Sequence, residues 1–525
     1  MKRSFVISLL LISGLSCVEK NKTRAPSPAD IPVSGLSGDR LAQIRCASCH
    51  SYVSPDKLPK GIWKNDVLPA MGHRMGIFKG AHQPDSIFGS AENAKIVKSA
   101  NIFPEKPTIS RVDWQKIVAF YTTNSTDTIL PPKREHKIKM GLKHFAYKEI
   151  PIVHRPPLTS MVKIREKRKG LVFSDGKRGN NVLTFLDPDL NLERNLLFTN
   201  TPINFYEKKD TVYLTTVGKN IFPSDTPDGQ MLKITESRQN KDQMIATPVL
   251  SHLQRPVCMA YGDLNNDSRE DIVACEYGDL TGKLVWFENQ GGNKYVERPL
   301  KTSPGAITAI IRDYNKDGLN DIFVLMAQGD EGVFYYENQG GGSFNEKRLL
   351  TFSPLNGSQY MELADFNSDG HLDILYVCGD NADKSPILKD YHGVYIFLND
   401  GNTNFEQAYF YQLNGAYKAM ARDYDLDGDL DIAAISFFPD YRDHPEESFV
   451  YLENKGDLTY EDFTFPEATK GRWIVMDAGD IDNDGDIDLA LGSFVYFLAQ
   501  GDTTGLSKKW LEESPSVILL ENTKK

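Results

Sequence analysis

Cysteine is scarce in this sequence, and the common catalytic signatures are missing from it. The 525 residues contain six cysteines and a single Cys-x-x-Cys pair, at Cys46 and Cys49. A structural zinc site needs a second pair of ligands at matched spacing, so the pair is not half of such a site. No nucleophile elbow, zinc-hydrolase motif or dinucleotide-binding fingerprint occurs. The sequence therefore shows no obvious enzyme active site.

Long apolar runs are equally scarce. The run at residues 5–12 follows Lys2 and Arg3 and precedes several small residues. This order is typical of a secretory signal and is too short to span a bilayer. The signal ends at Cys17, which resembles the lipidated cysteine of a bacterial lipoprotein, and a polar tether follows at residues 18–36. We therefore expect an exported protein held by a lipid at a membrane, in the periplasm or at the cell surface; ordinary cleavage and release is the alternative.

The one Cys-x-x-Cys pair belongs to the pentapeptide Cys46–Ala47–Ser48–Cys49–His50. Two thiols at this spacing can add to the vinyl groups of a haem, and the adjacent histidine can bind the iron. The motif is the attachment signature of a c-type haem. It predicts one covalent haem c held by Cys46, Cys49 and His50, with a chance cluster or a local disulfide as the alternatives.

The surroundings of this motif indicate a small helical domain over residues 37–125. One helix is predicted to lead into the motif and a second to begin at a cap on Ser110. Such a pair resembles a class I cytochrome c, whose second axial ligand would come from between the helices. Met71, His73 and Met75 are the candidates. Leu-Pro-x-Met resembles the distal-ligand segment of cytochrome domains found beside propellers in exported bacterial proteins, which favours Met71; position in sequence leaves the other two open.

Five nine-residue loops later in the chain share one plan of acidic residues. They begin at Asp263, Asp313, Asp365, Asp423 and Asp480. Oxygens at positions 1, 3, 5 and 9, with a main-chain carbonyl at position 7, can enclose a hard cation. Glycine at position 6 permits the sharp turn. Position 12 lacks the glutamate of an EF-hand, so the loops resemble only the opening of that motif.

The predicted metal ligands follow this numbering, with the third-last residue of each loop binding through its main chain. They are Asp263, Asn265, Asp267, Arg269 and Asp271; Asp313, Asn315, Asp317, Leu319 and Asp321; Asp365, Asn367, Asp369, His371 and Asp373; Asp423, Asp425, Asp427, Asp429 and Asp431; and Asp480, Asp482, Asp484, Asp486 and Asp488.

Charge supports a cation in these loops. The chain carries a formal net charge of −11, and 17 carboxylates occupy positions 1, 3, 5 and 9 of the loops, so the rest of the chain is net positive. We expect up to five Ca²⁺ ions with a structural role, bound most weakly where Ser268 replaces glycine and most tightly in the last two loops. Five solvated turns without metal are the alternative. Nucleic acid is not expected as a partner of an acidic, exported chain.

The loops recur every 50 to 58 residues, with apolar and aromatic strands around each. Four strands per repeat of about fifty residues indicate propeller blades. The motifs resemble FG-GAP/VCBS repeats, strongly over residues 250–525 and loosely, without the acidic loop, over residues 158–247. Two metal-free and five metal-bearing repeats predict a seven-bladed propeller.

The last repeat ends after its third strand, at 517–522. The similar segment at residues 143–151 is predicted to supply the missing outer strand and to remove two open edges. The propeller is therefore assigned to residues 143–525. Residues 126–142, with a basic stretch at 133–139, are predicted to form a solvated linker.

Together these features predict a small all-α cytochrome c domain followed by an all-β seven-bladed propeller. The expected function is electron transfer by the haem, with the propeller as a docking platform for a redox partner protein, a glycan or an exported enzyme. A propeller-based oxidoreductase that feeds its own haem, and a calcium-dependent adhesion or glycan-binding protein, are the alternatives, so enzymatic activity stays open. A disulfide between Cys258 and Cys275 is also left open, and Cys378 is expected to be a buried thiol.

Overall fold

The computed structural model describes residues 31–78, 91–134, 136–177, 179–209, 211–219, 221–236, 244–381, 387–496 and 502–524. Cys17 and the predicted signal segment lie outside the described residues. Within the described ranges, no helix combines the length and apolar character needed to cross a membrane.

Helices are concentrated before residue 125. They are α1 (Gly38–Arg45), α2 (Lys60–Ile62), which continues through a π-helical turn (Trp63–Val67) into α3 (Leu68–Arg74), α4 (Ala91–Ser99) and α5 (Arg111–Asn124); α6 (Leu506–Glu513) belongs to the last blade. Ser110 caps α5 as the sequence predicts, because its Oγ accepts a hydrogen bond from Asp113 N at 3.1 Å.

Helices α1 and α5 pack directly against each other. A Cβ atom at Gly38 would lie 2.3 Å from the Lys116 carbonyl oxygen, so glycine is what allows the two backbones to approach. Beneath the crossing, Trp63, Ile117 and Tyr121 form a buried core. The first and last helices of this helical region (residues 31–124) therefore meet over one apolar cluster.

Strands occupy most of the remaining chain and form seven sheets among the described residues. In chain order they are β1 (Lys139–Met140) and β2 (Phe145–Glu149); β3 (Thr159–Ile164), β4 (Leu171–Asp175), β5 (Asn181–Leu186) and β6 (Leu192–Phe198); β7 (Pro202–Lys208), β8 (Thr211–Thr216), β9 (Gly229–Glu236) and β10 (Met244–Leu253); β11 (Pro256–Gly262), β12 (Asp271–Glu276), β13 (Lys283–Gly291) and β14 (Lys294–Lys301); β15 (Ala306–Arg312), β16 (Asp321–Met326), β17 (Gly332–Asn338) and β18 (Phe344–Thr351); β19 (Ser358–Ala364), β20 (Asp373–Cys378), β21 (Gly393–Asn399) and β22 (Phe405–Gln412); β23 (Ala416–Arg422), β24 (Asp431–Ser436), β25 (Phe449–Asn454) and β26 (Tyr460–Thr464); and β27 (Trp473–Gly479), β28 (Asp488–Ser493) and β29 (Val517–Asn522).

Each sheet is one blade of a seven-bladed propeller, which confirms the predicted architecture. The first strand of each blade is innermost, and successive inner strands pack around a central channel, with β27 beside β3 at the closure. In six of the seven blades the second strand is fully buried, because neighbouring blades cover it on both faces; in the second blade only the last three residues of β8 are buried.

The last blade takes its outer strand from the segment that precedes the propeller. β2 pairs antiparallel with β29, so that Phe145 lies opposite Asn522 and Glu149 opposite Ile518. The Phe145 ring meets Tyr424 and Tyr451 edge-on, with centroids 5.8 and 5.6 Å away. These are the residues that the sequence assigns to the missing strand, and their pairing joins the two ends of the ring.

The basic stretch at residues 133–139 is only partly the solvated linker that the sequence predicts: four of its residues are exposed, but the Arg134 side chain is not. Arg134 is buried, and its guanidinium donates to Glu447 Oε1 at 2.7 Å and to the Tyr411 hydroxyl at 2.9 Å. His136 Nε2 lies 2.9 Å from Asp462 Oδ2, and β1 then pairs in parallel with β26. Sequence could not show this because the carboxylate partners lie more than 300 positions away.

The helical region rests on one face of the propeller. Ser51 Oγ donates to the Phe352 carbonyl at 3.1 Å, and Asn93 Oδ1 accepts from Asp225 N at 2.8 Å. Phe352 lies in the connection between two consecutive blades, and Asp225 lies in the connection between the second and third strands of its blade. The acidic loops join first to second strands, so they lie on the opposite face of the propeller.

Glu331, close to this contact, gives the propeller a predicted pH dependence. Its side chain is 3 % exposed and accepts from the amide and the hydroxyl of Ser358 at 3.0 and 2.6 Å. Burial raises the pKa of Glu331 to about 7, from the ordinary value of 4.5. The folded state therefore holds this proton more tightly than the unfolded chain, and the associated stability, roughly 3 kcal/mol, is complete below pH 4.5 and lost as pH rises through 7.

We expect Glu331→Gln to remove this loss, so that the difference in unfolding free energy between variant and wild type grows from pH 5 to pH 8. Denaturant titrations at fixed pH measure it. Glu337→Gln, near the other end of β17, is the matched control. Glu337 is half-buried and pairs with Lys347, which lowers its pKa, so its removal should leave the wild-type profile between pH 5 and pH 8 unchanged. Parallel profiles for wild type and Glu331→Gln would show that the carboxyl does not titrate with folding.

Candidate haem and metal sites

The pentapeptide at 46–50 follows directly from α1 as a short 3-10 turn. Cys46 is half-buried and packs against the apolar cluster of the helical region, whereas Cys49 is exposed. The two thiols are not joined in a disulfide. Both are therefore available for thioether bonds, one on the apolar side and one on the open side of the motif.

His50 is oriented by its own backbone. The Nδ1 atom lies 2.7 Å from the Ser51 carbonyl oxygen, and because a carbonyl only accepts, Nδ1 carries the proton. Nε2 is then the ring nitrogen left to bind a metal. A neutral imidazole fixed in this way is the arrangement that haem and metal histidines commonly have.

The candidates for the second axial ligand lie at and just after α3. Met71 is on the helix and Met75 follows its last residue, and both side chains pack against the cluster that contains Cys46. The His73 ring instead stacks on Phe78, with centroids 5.4 Å apart. The structure thus brings both thioethers to the cluster beside the motif and does not by itself choose between them.

The propeller completes this cluster. Leu355, in the connection between β18 and β19, and Ile387, in the loop between β20 and β21, pack against the same apolar residues. Ser51, next to His50, is tied to Phe352 in the first of these segments. The residues present therefore fit a haem: two free thiols, an oriented imidazole, thioethers and an apolar wall.

The five acidic loops have one backbone conformation. In the first four, the carboxylate at position 1 accepts hydrogen bonds from the amides at positions 5 and 6. Position 6 is left-handed, with φ of +89° at Gly318 and +101° at Gly485. Ser268 adopts the same region at +65°, where a side chain is strained. This agrees with the expectation that the first loop is the least favourable.

The aspartate at position 9 has a role that the ligand pattern does not reveal. In every loop it is buried, and its Oδ1 accepts the amide of an asparagine at the end of the third strand at 2.7–2.9 Å. The same asparagine donates its side-chain amide to the carbonyl at position 8 and accepts from the amide two residues later. These asparagines are Asn289, Asn338, Asn399, Asn454 and Asn522.

This Asp–Asn clasp, defined by position 9 and its asparagine, fixes each acidic loop to the neighbouring turn. It uses only protein groups, so it holds the loop whether or not a cation is bound. The sequence signal for the clasp is the asparagine that recurs at or near the end of the third strand. The clasp explains why asparagine occurs at the same position of the third strand in five blades.

In the first loop, protein groups already neutralise part of the charge. Arg269 forms an ion pair with Asp267, and its Nε donates to the Asn289 carbonyl at 2.8 Å. Asn265 donates through Nδ2 to Glu288 at 3.2 Å, and its Oδ1 has no hydrogen-bond partner among the described residues. A cation there would compete with the Arg269–Asp267 ion pair, so its affinity should be the lowest of the five.

The last two loops show the opposite situation. Asp423, Asp425 and Asp427 place carboxylate oxygens within 4.8 Å of one another, and so do Asp480, Asp482 and Asp488. Carboxylates this close repel one another unless a cation or protons lie between them. These loops are the strongest candidates for Ca²⁺.

The side chains at position 7 reinforce this conclusion. Asp486 is 2 % exposed, and neither of its carboxylate oxygens has a hydrogen-bond partner among the described residues. Burial, together with repulsion by the neighbouring Asp484, raises the pKa of Asp486 to about 7. Asp429 Oδ1 is likewise buried without a partner. The sequence predicts only a main-chain carbonyl ligand at position 7; in these two loops its carboxylate also lies near the other aspartates of the loop.

A comparison with protein families identifies the repeats to which the first of these loops belong. The model of the FG-GAP-like repeat matches residues 263–324 and 313–376. The propeller contains FG-GAP-like repeats. The matched stretches hold the first three acidic loops, and the last two share their sequence pattern and their clasp.

Solved structures resemble the chain only distantly. The N-terminal domain of Nup159 has 11 % identity and a TM-score of 0.41, covering 73 % of this chain and 97 % of that one. A putative 6-phosphogluconolactonase from Bacteroides uniformis has 10 % identity and a TM-score of 0.37, covering 58 % of this chain and 83 % of that one. No curated protein matches the sequence.

The acidic loops of the FG-GAP-like repeats and the pentapeptide at 46–50 therefore lie on opposite faces of the propeller. The repeats present oxygen ligands in closed hairpins, which suit a structural cation. The pentapeptide presents thiols and an imidazole beside an apolar cluster, which suit a covalent haem. Each set of ligands was predicted from the sequence; the clasp, the position-7 carboxylates and the propeller wall at Leu355 and Ile387 were not.

Proposed function

We propose that this protein is an exported, lipid-anchored, monohaem c-type cytochrome whose calcium-stabilised propeller is a docking platform for a redox partner protein. The observation that carries the proposal is the arrangement at 46–50. Two unpaired thiols and an imidazole with Nε2 left to bind iron lie beside an apolar cluster that holds two thioethers. Export and the anchor rest on the N-terminal sequence alone.

A haem at this position would supply one-electron chemistry by cycling between ferrous and ferric iron. The residues of the chain would hold and tune it. His50 would bind the iron through Nε2, while the Ser51 carbonyl accepts from Nδ1 and orients the ring. Met71 is the proposed second ligand. The apolar cluster limits access of water, which favours the less charged ferrous state and raises the potential.

The propeller would contribute a rigid support. Arg134 and Glu447 form an ion pair between the linker and the blades, and Asn93 and Asp225 join α4 to a propeller loop. The helical region is thereby fixed to one face instead of swinging on a tether. Calcium in the FG-GAP-like repeats would stabilise the opposite face of the propeller.

Replacement of the proposed distal ligand gives a direct spectroscopic test. In Met71→Ala, produced by a host that attaches haem, we expect loss of the thioether-to-iron absorption band and a lower reduction potential, because a thioether stabilises ferrous iron. Absorption spectroscopy with potentiometric titration measures both.

Met75→Ala and His73→Ala are the matched controls, since both residues lie in the same segment. They should retain the band and the wild-type potential. Loss of the band in Met75→Ala with its retention in Met71→Ala would move the ligand to Met75. A wild-type protein without covalent haem would contradict the proposed function itself.

A further inference from the structure

Two cysteines of the third blade face each other across neighbouring strands. Cys258 on β11 and Cys275 on β12 are register partners in an antiparallel pair. Directly opposed residues place their Cβ atoms on the same face about 4.5–5.5 Å apart. Both are free thiols, and both contact the apolar cluster between the third and fourth blades.

The same register position exists in the four blades that follow, and none of them has this pair. The equivalent partners are Thr308 and Leu325, Tyr360 and Val377, Lys418 and Ile435, and Val475 and Gly492. The blade with the cysteines is the one whose acidic loop has Ser268 at the left-handed position and Arg269 paired with Asp267. Thus the hairpin with the least favourable cation site carries the two thiols.

The two thiols differ in access. Cys258 is part-exposed on an innermost strand, which lines the central channel, whereas Cys275 is completely buried on the second strand. A hydrogen bond from Cys275 lowers the pKa of Cys258, with a further contribution from the Lys418 ammonium across the channel. Burial raises the pKa of Cys275. Cys258 is therefore the thiol that reacts first.

We propose that Cys258 and Cys275 form a reversible cross-strand disulfide, which staples the β11–β12 hairpin and holds the acidic loop of residues 263–271 where calcium binds least tightly. The pair is a modification site of the propeller and does not depend on the haem. The bond would join the two strands that begin and end this loop.

The reaction is thiol–disulfide exchange with a small disulfide. The Cys258 thiolate attacks one sulfur, forms a mixed disulfide and releases the first small thiol. Cys275 loses its proton and attacks the Cys258 sulfur, which releases the second small thiol. Two protein thiols are oxidised and one small disulfide is reduced to two thiols, so electrons and protons balance.

The test uses the full chain as purified, incubated with 2-hydroxyethyl disulfide, trapped with N-ethylmaleimide and mapped by peptide mass spectrometry. We expect a Cys258–Cys275 cross-linked peptide in the wild type and in the control Cys378→Ser, whose thiol is buried on β20. Cys275→Ser should stop at a mixed disulfide on Cys258, and Cys258→Ser should leave Cys275 unmodified.

A second measurement keeps the test independent of the variants. With EDTA present, the cross-linked wild type should melt at a higher temperature than the same protein after reduction. Alkylation of Cys258 and Cys275 as free thiols at saturating disulfide would overturn the proposed bond. A cross-linked protein that melts no higher than the reduced one would overturn its role as a staple.

Discussion

Removal of calcium is expected to lower the melting temperature of the protein, with most of the loss arising from the loops at 423–431 and 480–488. In both loops three carboxylates place oxygens within 4.8 Å of one another, and Asp486 has no hydrogen-bond partner among the described residues. A ligand that binds only the folded state stabilises it by about 2.7 kcal/mol per site when its free concentration is 100 times its dissociation constant. Two such sites would contribute about twice that amount.

Calorimetry or fluorescence melting in calcium, in magnesium and in EDTA measures this effect. Asp482→Asn, which removes one charge from the last loop, should abolish a large part of the calcium-dependent shift. Asp267→Asn is the matched control at a neighbouring loop position in the first loop, where Arg269 already pairs with the carboxylate. Equal losses of the shift in both variants would contradict the predicted order of affinities. A melting temperature that ignores calcium would show that the loops are metal-free turns.

Loss of the Phe145 side chain is expected to destabilise the propeller by about 3–5 kcal/mol, the usual cost of removing a buried phenyl group. Phe145 is 9 % exposed and packs among aromatic residues of the last two blades. Its strand β2 is the outer strand of the last blade, so weakening it opens the point where the two ends of the propeller chain meet. The closure would be lost before the interiors of the other blades.

Chemical denaturation of Phe145→Ala against wild type gives the loss of unfolding free energy, and limited proteolysis shows where the chain opens. Lys148→Ala is the control on the same strand, because Lys148 is exposed and pairs only with Glu521. We expect a shift of no more than about 1 kcal/mol there. Wild-type stability in Phe145→Ala would mean that β2 is not needed for closure.

The parts of the fold that could be predicted from the sequence are those that recur as local repeats. The loops beginning at Asp263 and Asp480, with their flanking strands, recur at nearly constant spacing, so the number of blades follows from counting. The closing strand was also recognisable, because residues 143–151 resemble the outer strand of a sibling blade. Each repeat can be recognised from a short stretch of neighbouring residues, without knowledge of distant contacts.

The parts that could not be predicted depend on contacts between distant residues. Arg134 reads as a solvated linker residue until Glu447 is placed beside it. The apolar wall contributed by Leu355 and Ile387 belongs to a cluster whose other members come before residue 125. The buried Asp486 cannot be told from the half-buried Asp429 at the same loop position by sequence alone. Periodicity carries no information on such partners.

The proposed covalent, redox-active haem is tested most directly on the full-length protein purified from a host that attaches haem. Mass spectrometry after denaturation first shows whether the haem stays bound, and a redox titration then shows whether it cycles. We expect one haem per chain, linked at Cys46 and Cys49, with a reversible one-electron wave. A protein that folds as a calcium-binding propeller but carries no covalent haem, or whose haem does not cycle, would contradict it.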